Sequence, residues 1–409
     1  MRPTDEEFRA AWPRVVRILA AWSGSLDDAE EYAAEAMSRA VTATGVDDLA
    51  AWCVRVAKRA WIDEHRRRGV FTRIAPELAT GESMPGPEFP DDLQDDLTDR
   101  LDDRVALLFV ACDETLAPGA RMVLALRVVC GLSIAEVAMH LGVQESAAAA
   151  RLTRAKRTLA QERGAFRVPD DAERRRRLPV VLDCVAGMFT VAHRTGLEPP
   201  DALADTGGQA LSIADALVVL FPEDPEVRGL RAVVRLGLAR RPGRVDDSGV
   251  ALTLDEMDRT RWDPRLLRGG LADAAFAARG DGRFALEAAI SGLHSAAASF
   301  AQTDWPRIVQ FYTALQEVWP SPAVDVALLA ARVQLALATG GDLAPAEVGL
   351  QRLADQGPAY ARRDAAFALA DLCWRTGRRD ESATRYRELA DQVQHEAVRR
   401  FCLRRSGTG

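Results

Sequence analysis

Apolar residues recur at helical spacing along most of the chain. Near the N-terminus Phe8, Trp12, Val15, Val16, Leu19 and Trp22 recur at helical spacing, which lines one face of a helix. Gly24 and Ser25 break that pattern. A second helix starts at Asp27 or Asp28 and runs to about Thr42. After Gly45 a third runs from about Asp48 to Arg68. The pattern then lapses: residues 69–100 hold Gly69, Pro76, Gly81, Pro85, Gly86, Pro87 and Pro90 among many acids, the composition of a linker. Residues 101–160 are periodic again, with a continuous apolar stretch at Val105–Cys112. Pro118 opens one helix, and Ser133-Ile-Ala-Glu136 has the form of a capping box that opens another. Gly142 ends that helix, and the next begins near Gln144.

Residues 170–405 read as helical throughout. They are punctuated at Gly207-Gly208, Pro242-Gly243, Gly280, Gly282, Pro320, Gly340-Gly341, Gly357-Pro358 and Gly377. From about 282 the breaks recur at intervals that suit helix pairs, most clearly at 344–376 and 380–405. Alternating strand patterns are scarce. The expected fold is therefore all-α: two small helical domains, 1–70 and 101–165, joined by an acidic linker at 71–100, then a helical-repeat domain over 170–409.

Composition changes this picture little. The chain has 409 residues and a hydrophobic content of 48%, enough for more than one core. The net charge of −7 argues against a uniformly basic nucleic-acid binder, but the charge is uneven. Arginines cluster at Arg66–Arg68 and Arg174–Arg177, and acids between Asp91 and Asp103. The six cysteines form no CxxC pair and lie in apolar surroundings, as reduced buried thiols do. The five histidines show no metal-ligand spacing, so no metal or cofactor is expected. Phosphate-binding glycine loops and nucleophile–base motifs are missing, which argues against an enzyme. The N-terminus lacks a signal pattern and no apolar run approaches a bilayer span, so the expected location is the cytoplasm.

Two stretches carry candidate chemistry. In helix 48–68, Leu49, Cys53, Val56, Ala57 and Ala60 gather on one side, and Arg55, Lys58, Arg59 and Arg66 on the other, with Trp52 and Trp61 on the flanks. A basic surface follows phosphates and aromatic rings stack on unpaired bases; a solvated amphipathic helix is the plainer alternative. In the second stretch, Ser133–Leu141, a Gly142-Val143 turn and Gln144–Leu159 form a helix-turn-helix pattern. Ala138 marks the close crossing. Ala148, Leu152, Ala155 and Leu159 form the buried seam, while Ser146, Arg154 and Arg157 face outward with Arg151 on the flank. Such a helix enters a major groove, although Ala147, Ala149 and Ala150 bring no hydrogen-bonding groups. A plain helical hairpin is the competing reading.

This order of parts resembles two-domain sigma factors of the extracytoplasmic-function group. Asp28–Met37 with Ala51–Arg68 looks like their region two, and Leu116–Ser133 continuing through Arg151–Arg157 looks like region four. Leu107–Cys112, Phe166–Pro169, Asp258–Asp263, Ala285–Ile290 and Thr303–Trp305 resemble the subgroup with a C-terminal tetratricopeptide-like extension, so the resemblance spans nearly the whole chain. It implies that Asp28, Glu31, Tyr32, Glu35 and Met37 dock on the β′ clamp helices of core RNA polymerase. Arg55, Lys58, Arg59, Trp61, Asp63, His65 and Arg66 would melt and hold the proximal promoter element. Gln144, Glu145, Ser146, Arg151, Arg154 and Arg157 would read the distal element, with region four on the β flap. The extension implies control in cis. The chain departs from the pattern at Arg59, where Asn is usual, at Ala34, where Gln is usual, and in the run Ala147–Ala150. A stand-alone helix-turn-helix regulator and a helical-repeat interaction scaffold are the alternatives. In the C-terminal part Trp262, Asp263, Asp304 and Trp305 stand out; Asp before Pro suits a helix cap and Trp a core plug, with a Trp-lined ligand or partner groove as the other reading.

Overall fold

A computed structural model describes residues 3–43, 45–74, 102–163, 166–195 and 205–407. It divides into two compact units, Met1–Met188 and Phe189–Gly409. Apart from 71–74, the acidic linker read at 71–100 lies outside the described residues.

Among the described residues, eight helices build the first unit: α1 (Asp5–Ser23), α2 (Leu26–Ala40), α3 (Leu49–Ile74), α4 (Asp103–Ala111), α5 (Pro118–Val128), α6 (Ile134–Leu141), α7 (Glu145–Arg163) and α8 (Asp171–Thr195), the last passing into the second unit's residues after Met188. Local chemistry sets their ends. Thr4 and Glu7 form a capping box at the start of α1, and Gly24 ends it in the left-handed region at φ 73°. Ser25 caps α2, two residues before the expected start, because its hydroxyl accepts the Asp28 N–H. Helix α3 continues to Ile74, past the break expected at Gly69.

The seam residues Val15, Val16 and Leu19 of α1 are buried against α2 and α3. Helix α4 explains its continuous apolar run: Val105 through Phe109 are all at most 1% exposed, as expected for a helix covered on every side. Each large side chain buried there contributes about 1.5–3 kcal/mol. All six cysteines are free and buried. Cys112 hydrogen-bonds to Cys184, and that bond together with burial raises its pKa well above the ordinary value; burial pushes Cys130 up to about 12. These are packing groups rather than nucleophiles.

The sequence suggests a boundary near 165–170, yet the first unit runs through Met188. Polar anchors account for this. The Phe166 N–H donates to the Gly24 carbonyl at 2.9 Å, and the Arg177 guanidinium donates to the Phe109 carbonyl at 3.0 Å. Val181, Val185 and Met188 are fully buried.

The second unit contains α9 (Thr206–Leu220), α10 (Pro225–Arg240), α11 (Pro264–Ala277), α12 (Arg283–Ala296), α13 (Trp305–Val318), α14 (Pro322–Thr339), α15 (Ala344–Gln356), α16 (Ala359–Arg375), α17 (Arg379–Gln392) and α18 (Glu396–Ser406). Each packs on its neighbours in sequence, and α10 touches α9, α11 and α12. The hairpins read at 344–376 and 380–405 are α15/α16 and α17/α18. Gly229 lets α10 cross α12 closely: a Cβ there would lie 2.5 Å from the backbone of Phe284. Gly229→Ala is expected to cost about 1–3 kcal/mol by forcing the helices apart, readable as a lower urea midpoint. Helix α14 is long and apolar enough to cross a bilayer by length and composition alone. It is nonetheless packed on two sides, with Val324 and Ala331 in one core cluster and Val326 and Val333 in another. Asp263 and Asp304 cap α11 and α13, and Trp262 and Trp305 are buried, as the plainer reading held. Among the described residues the nearest approach to a strand is an isolated bridge between Val245 and Ala251.

Candidate promoter- and polymerase-binding surfaces

Helix α3 packs Cys53 and Ala57 inward and turns Arg55, Arg59 and Asp63 outward as one exposed ridge. The other expected contacts are more enclosed. The Lys58 ammonium sits 5.5 Å from the centre of the Trp22 ring. Trp61 meets Trp22 edge to face at 4.6 Å and stacks on His65 at 3.7 Å, and its indole N–H donates to Asp28 at 3.3 Å. Lys58, Trp61 and His65 are thus half-buried members of an aromatic cluster at the end of the basic ridge. The side chain of Arg66 lies outside the described residues.

Helix α2 sorts the proposed docking residues by its own periodicity. Glu31 and Glu35 are exposed on its outer face, where Glu35 pairs with Arg39 at 2.6 Å. Asp28 is half-buried on Trp61. Tyr32 is only 6% exposed and donates to Glu64 at 2.8 Å. Met37 is half-buried, with the Cys53 thiol 3.7 Å from its sulfur. The surface available on α2 is therefore acidic, and Tyr32 and Met37 belong to the contact with α3.

In the helix-turn-helix, the Ser133–Glu136 capping box forms, and Gly142 turns the chain at φ 62°. Ala148, Leu152, Ala155 and Leu159 are buried, as their spacing predicts, and Ala138 is buried at the crossing. Gln144, Glu145, Ser146, Arg154 and Arg157 are exposed, and Arg151 is half-buried. The outward face begins with small polar groups and ends with two guanidiniums, which suits base edges followed by phosphates.

A polar seam between α1/α2 and α4–α7 was not legible beforehand. Lys156 of α7 pairs with both Asp27 and Glu30 of α2 at 2.7 Å. Glu30, itself buried, also pairs with Arg127 of α5, and Arg17 of α1 pairs with Asp103. The Trp12 indole donates to the Val128 carbonyl at 3.1 Å. One signal was present: Glu30 lies a turn before Ala33 on the inward side of α2, where a carboxylate needs a partner. Which cation supplies it is a tertiary fact. Glu30→Ala leaves Arg127 and Lys156 without their shared acid and is expected to cost about 1.5–3 kcal/mol, measurable by urea unfolding.

Asp113, after α4, is a second hub. It accepts from Arg163 at 2.9 Å, from the Thr115 hydroxyl at 2.7 Å and from Arg177 at 2.8 Å. Burial pushes its carboxyl up, but the hydrogen bonds from Arg163 and Thr115 and the charge of Arg177 outweigh this and hold it at about 2.

Three family models match the chain. Residues 8–70 match sigma-70 region 2, covering most of α1–α3. Residues 107–159 match sigma-70 region 4, from within α4 into α7. Residues 177–278 match a family of unknown function (DUF6596). An uncharacterized protein of Rhizobium meliloti (strain 1021) is 34% identical over 329 residues, 79% of this chain and 77% of that protein. No solved structure matches. Sigma-70 factors are non-enzymatic, act in promoter recognition, and have core RNA polymerase and promoter DNA as partners. With regions 2 and 4 in order on the two surfaces just described, and a further helical domain after them, the chain belongs to the sigma-70 family of transcription factors.

Proposed function

We propose that this protein is a sigma factor of the extracytoplasmic-function type whose C-terminal helical unit, a tetratricopeptide-like extension, regulates it in cis. The observation that carries the promoter-binding part is the pair of exposed faces: the Arg55/Arg59 ridge of α3 within region 2, and the Gln144–Arg157 face of α7 within region 4. The α3 ridge, with Lys58, Trp61, Asp63, His65 and Arg66, holds the proximal element. The α7 face reads the distal one, with few base-specific bonds because Ala150 occupies part of it. Glu31 and Glu35, with Asp28, Tyr32 and Met37 behind them, form the docking site for the β′ clamp helices. Region 4 meets the β flap. The protein works in the cytoplasm, where polymerase and promoters are.

Run-off transcription tests this reading, with purified core polymerase, genomic fragments and this protein as the sole sigma. Discrete start sites support it. Failure to bind core and to start transcripts would overturn it in favour of a stand-alone regulator. Arg154→Ala with Arg157→Ala is expected to weaken distal-element binding nearly equally across sequences. It should also flatten the plot of log affinity against log salt by about one unit per lost phosphate contact. Truncation after α8 decides the sense of regulation: a gain of transcription marks the extension as inhibitory, and a loss marks it as required.

A further inference from the structure

Arginines in the second unit are mostly matched to carboxylates. Arg228, Arg231 and Arg235 converge on buried Asp273, and Arg241 pairs with Asp205 at 2.9 Å. Three arginines nearby have no carboxylate partner among the described residues: Arg240 at the end of α10, Arg244 and Arg259. Arg244 donates to the His193 carbonyl at 2.6 Å. Arg259 donates to the carbonyls of His294 and Ala297 at 3.0 and 2.8 Å and lies over the Trp262 ring. Arg240 has neither an ion pair nor a side-chain hydrogen bond among the described residues. Burial lowers Arg240 and Arg244 to about 10 each; Tyr312 opposes this at Arg240 while Arg259 adds to it, and Arg240 and Arg241 add to it at Arg244. Both remain cations at neutral pH, and an enclosed cation without a counter-charge is costly.

Arg240 borders a hollow of about 320 Å³, at the lower end of the range for small-molecule sites. Ser291, His294 and Tyr312 share its lining, with Ile290, Leu315 and Trp319 as apolar wall. The Ser291 hydroxyl and His294 Nδ1 are buried with no hydrogen-bond partner among the described residues. Burial, with the charges of Arg240 and Arg259, pushes His294 down to about 4, so its ring is neutral. Burial keeps Tyr312 a phenol, pushed up to about 12. The acid in the lining, Glu287, pairs with Arg283 at 2.9 Å. Arg240 also borders a second hollow of about 380 Å³ beside Arg244 and His193. There, however, Arg244 is already engaged with the His193 carbonyl, whereas the unpartnered hydroxyl and imidazole line the first.

We propose that the hollow at Arg240 binds a small organic carboxylate. The head is held by Arg240 with Ser291 and His294, and the apolar body lies against Ile290, Leu315 and Trp319. One uncommitted cation among neutral donors matches a single negative charge better than a phosphate dianion. The site does not depend on the transcription reading, since binding is measured on the chain alone.

Titration calorimetry of the full-length protein with acetate, benzoate and octanoate tests this, using benzamide and octanamide as neutral counterparts and inorganic phosphate as the dianion. Benzoate or octanoate should bind saturably at one site, at least tenfold tighter than its amide, than acetate and than phosphate. Arg240→Met, which keeps the apolar stem and removes the charge, should lower that affinity at least tenfold with a thermal melt no lower than that of the unaltered chain. If Arg240→Met fails to fold, the acid–amide comparison on the unaltered chain still decides. Amides binding as well as acids, tighter binding of phosphate, or no saturable binding of either acid at millimolar concentration would each overturn the proposal.

Discussion

A chain carrying Arg55→Glu and Arg59→Glu is expected to melt with the unaltered protein and to fail in promoter-specific transcription. Both side chains are exposed on α3, and among the described residues neither has an ion pair or a side-chain hydrogen bond, so reversing them should change stability by no more than about 0.5 kcal/mol. On the proposed function they face the phosphates of the proximal promoter element. Two reversals replace two attractive contacts with two repulsive ones, and a loss of two or more orders of magnitude in run-off product is expected at moderate salt. Lys58 is the wrong third partner for this experiment. Its ammonium lies over the Trp22 ring, so reversing it would disturb the aromatic cluster and mix folding with binding. Run-off yield and a thermal melt on the same preparation make the check. Unaltered transcription from the folded double mutant would remove the α3 ridge from the proposal.

The second large effect is on stability. Asp113→Asn keeps the size of the side chain and removes its charge. Arg177, whose side chain is 7% exposed, then loses its counter-charge at 2.8 Å, and leaving such a cation unpaired costs about 3–5 kcal/mol. The first unit should therefore melt roughly 10 °C lower. The pH dependence gives a second reading. The folded carboxyl, at about 2, lies below its ordinary value of 3.8, so its stabilisation is fully present above pH 4. It is lost as pH falls from there through 2, and the shift corresponds to about 2 kcal/mol. The gap between the unaltered chain and Asp113→Asn should accordingly narrow in that window. A constant gap from pH 7 to pH 2 would show that the charge of Asp113 is not the cause.

The residues that make the site were legible to different depths. Both helices of the helix-turn-helix followed from Ser133, Glu136, Gly142 and the spacing of Ala148, Leu152, Ala155 and Leu159, because capping and amphipathic periodicity act within a few residues. The outward face of α7 came from the same count. For α2 and α3 the count gave the ridge of Arg55 and Arg59. It did not show that Trp61 meets Trp22 or that Tyr32 reaches Glu64, since those contacts join separate helices. Lys156 has no place in that count, and the structure commits it to Asp27 and Glu30.

What the sequence by itself determined is the local grammar: where helices begin and end, which stripe of each is apolar, and which family order the parts follow. What the tertiary structure alone decided is pairing over distance. The Trp12 indole and the Val128 carbonyl are 116 residues apart, and Arg127 and Glu30 are 97 apart. The same holds for the convergence of Arg163 and Arg177 on Asp113 and for an Arg240 without a carboxylate among the described residues. A hydrogen bond or ion pair is specific at about 3 Å and leaves no periodic trace along the chain. A buried charge can announce that it needs a partner, but only the packed helices choose which one it receives.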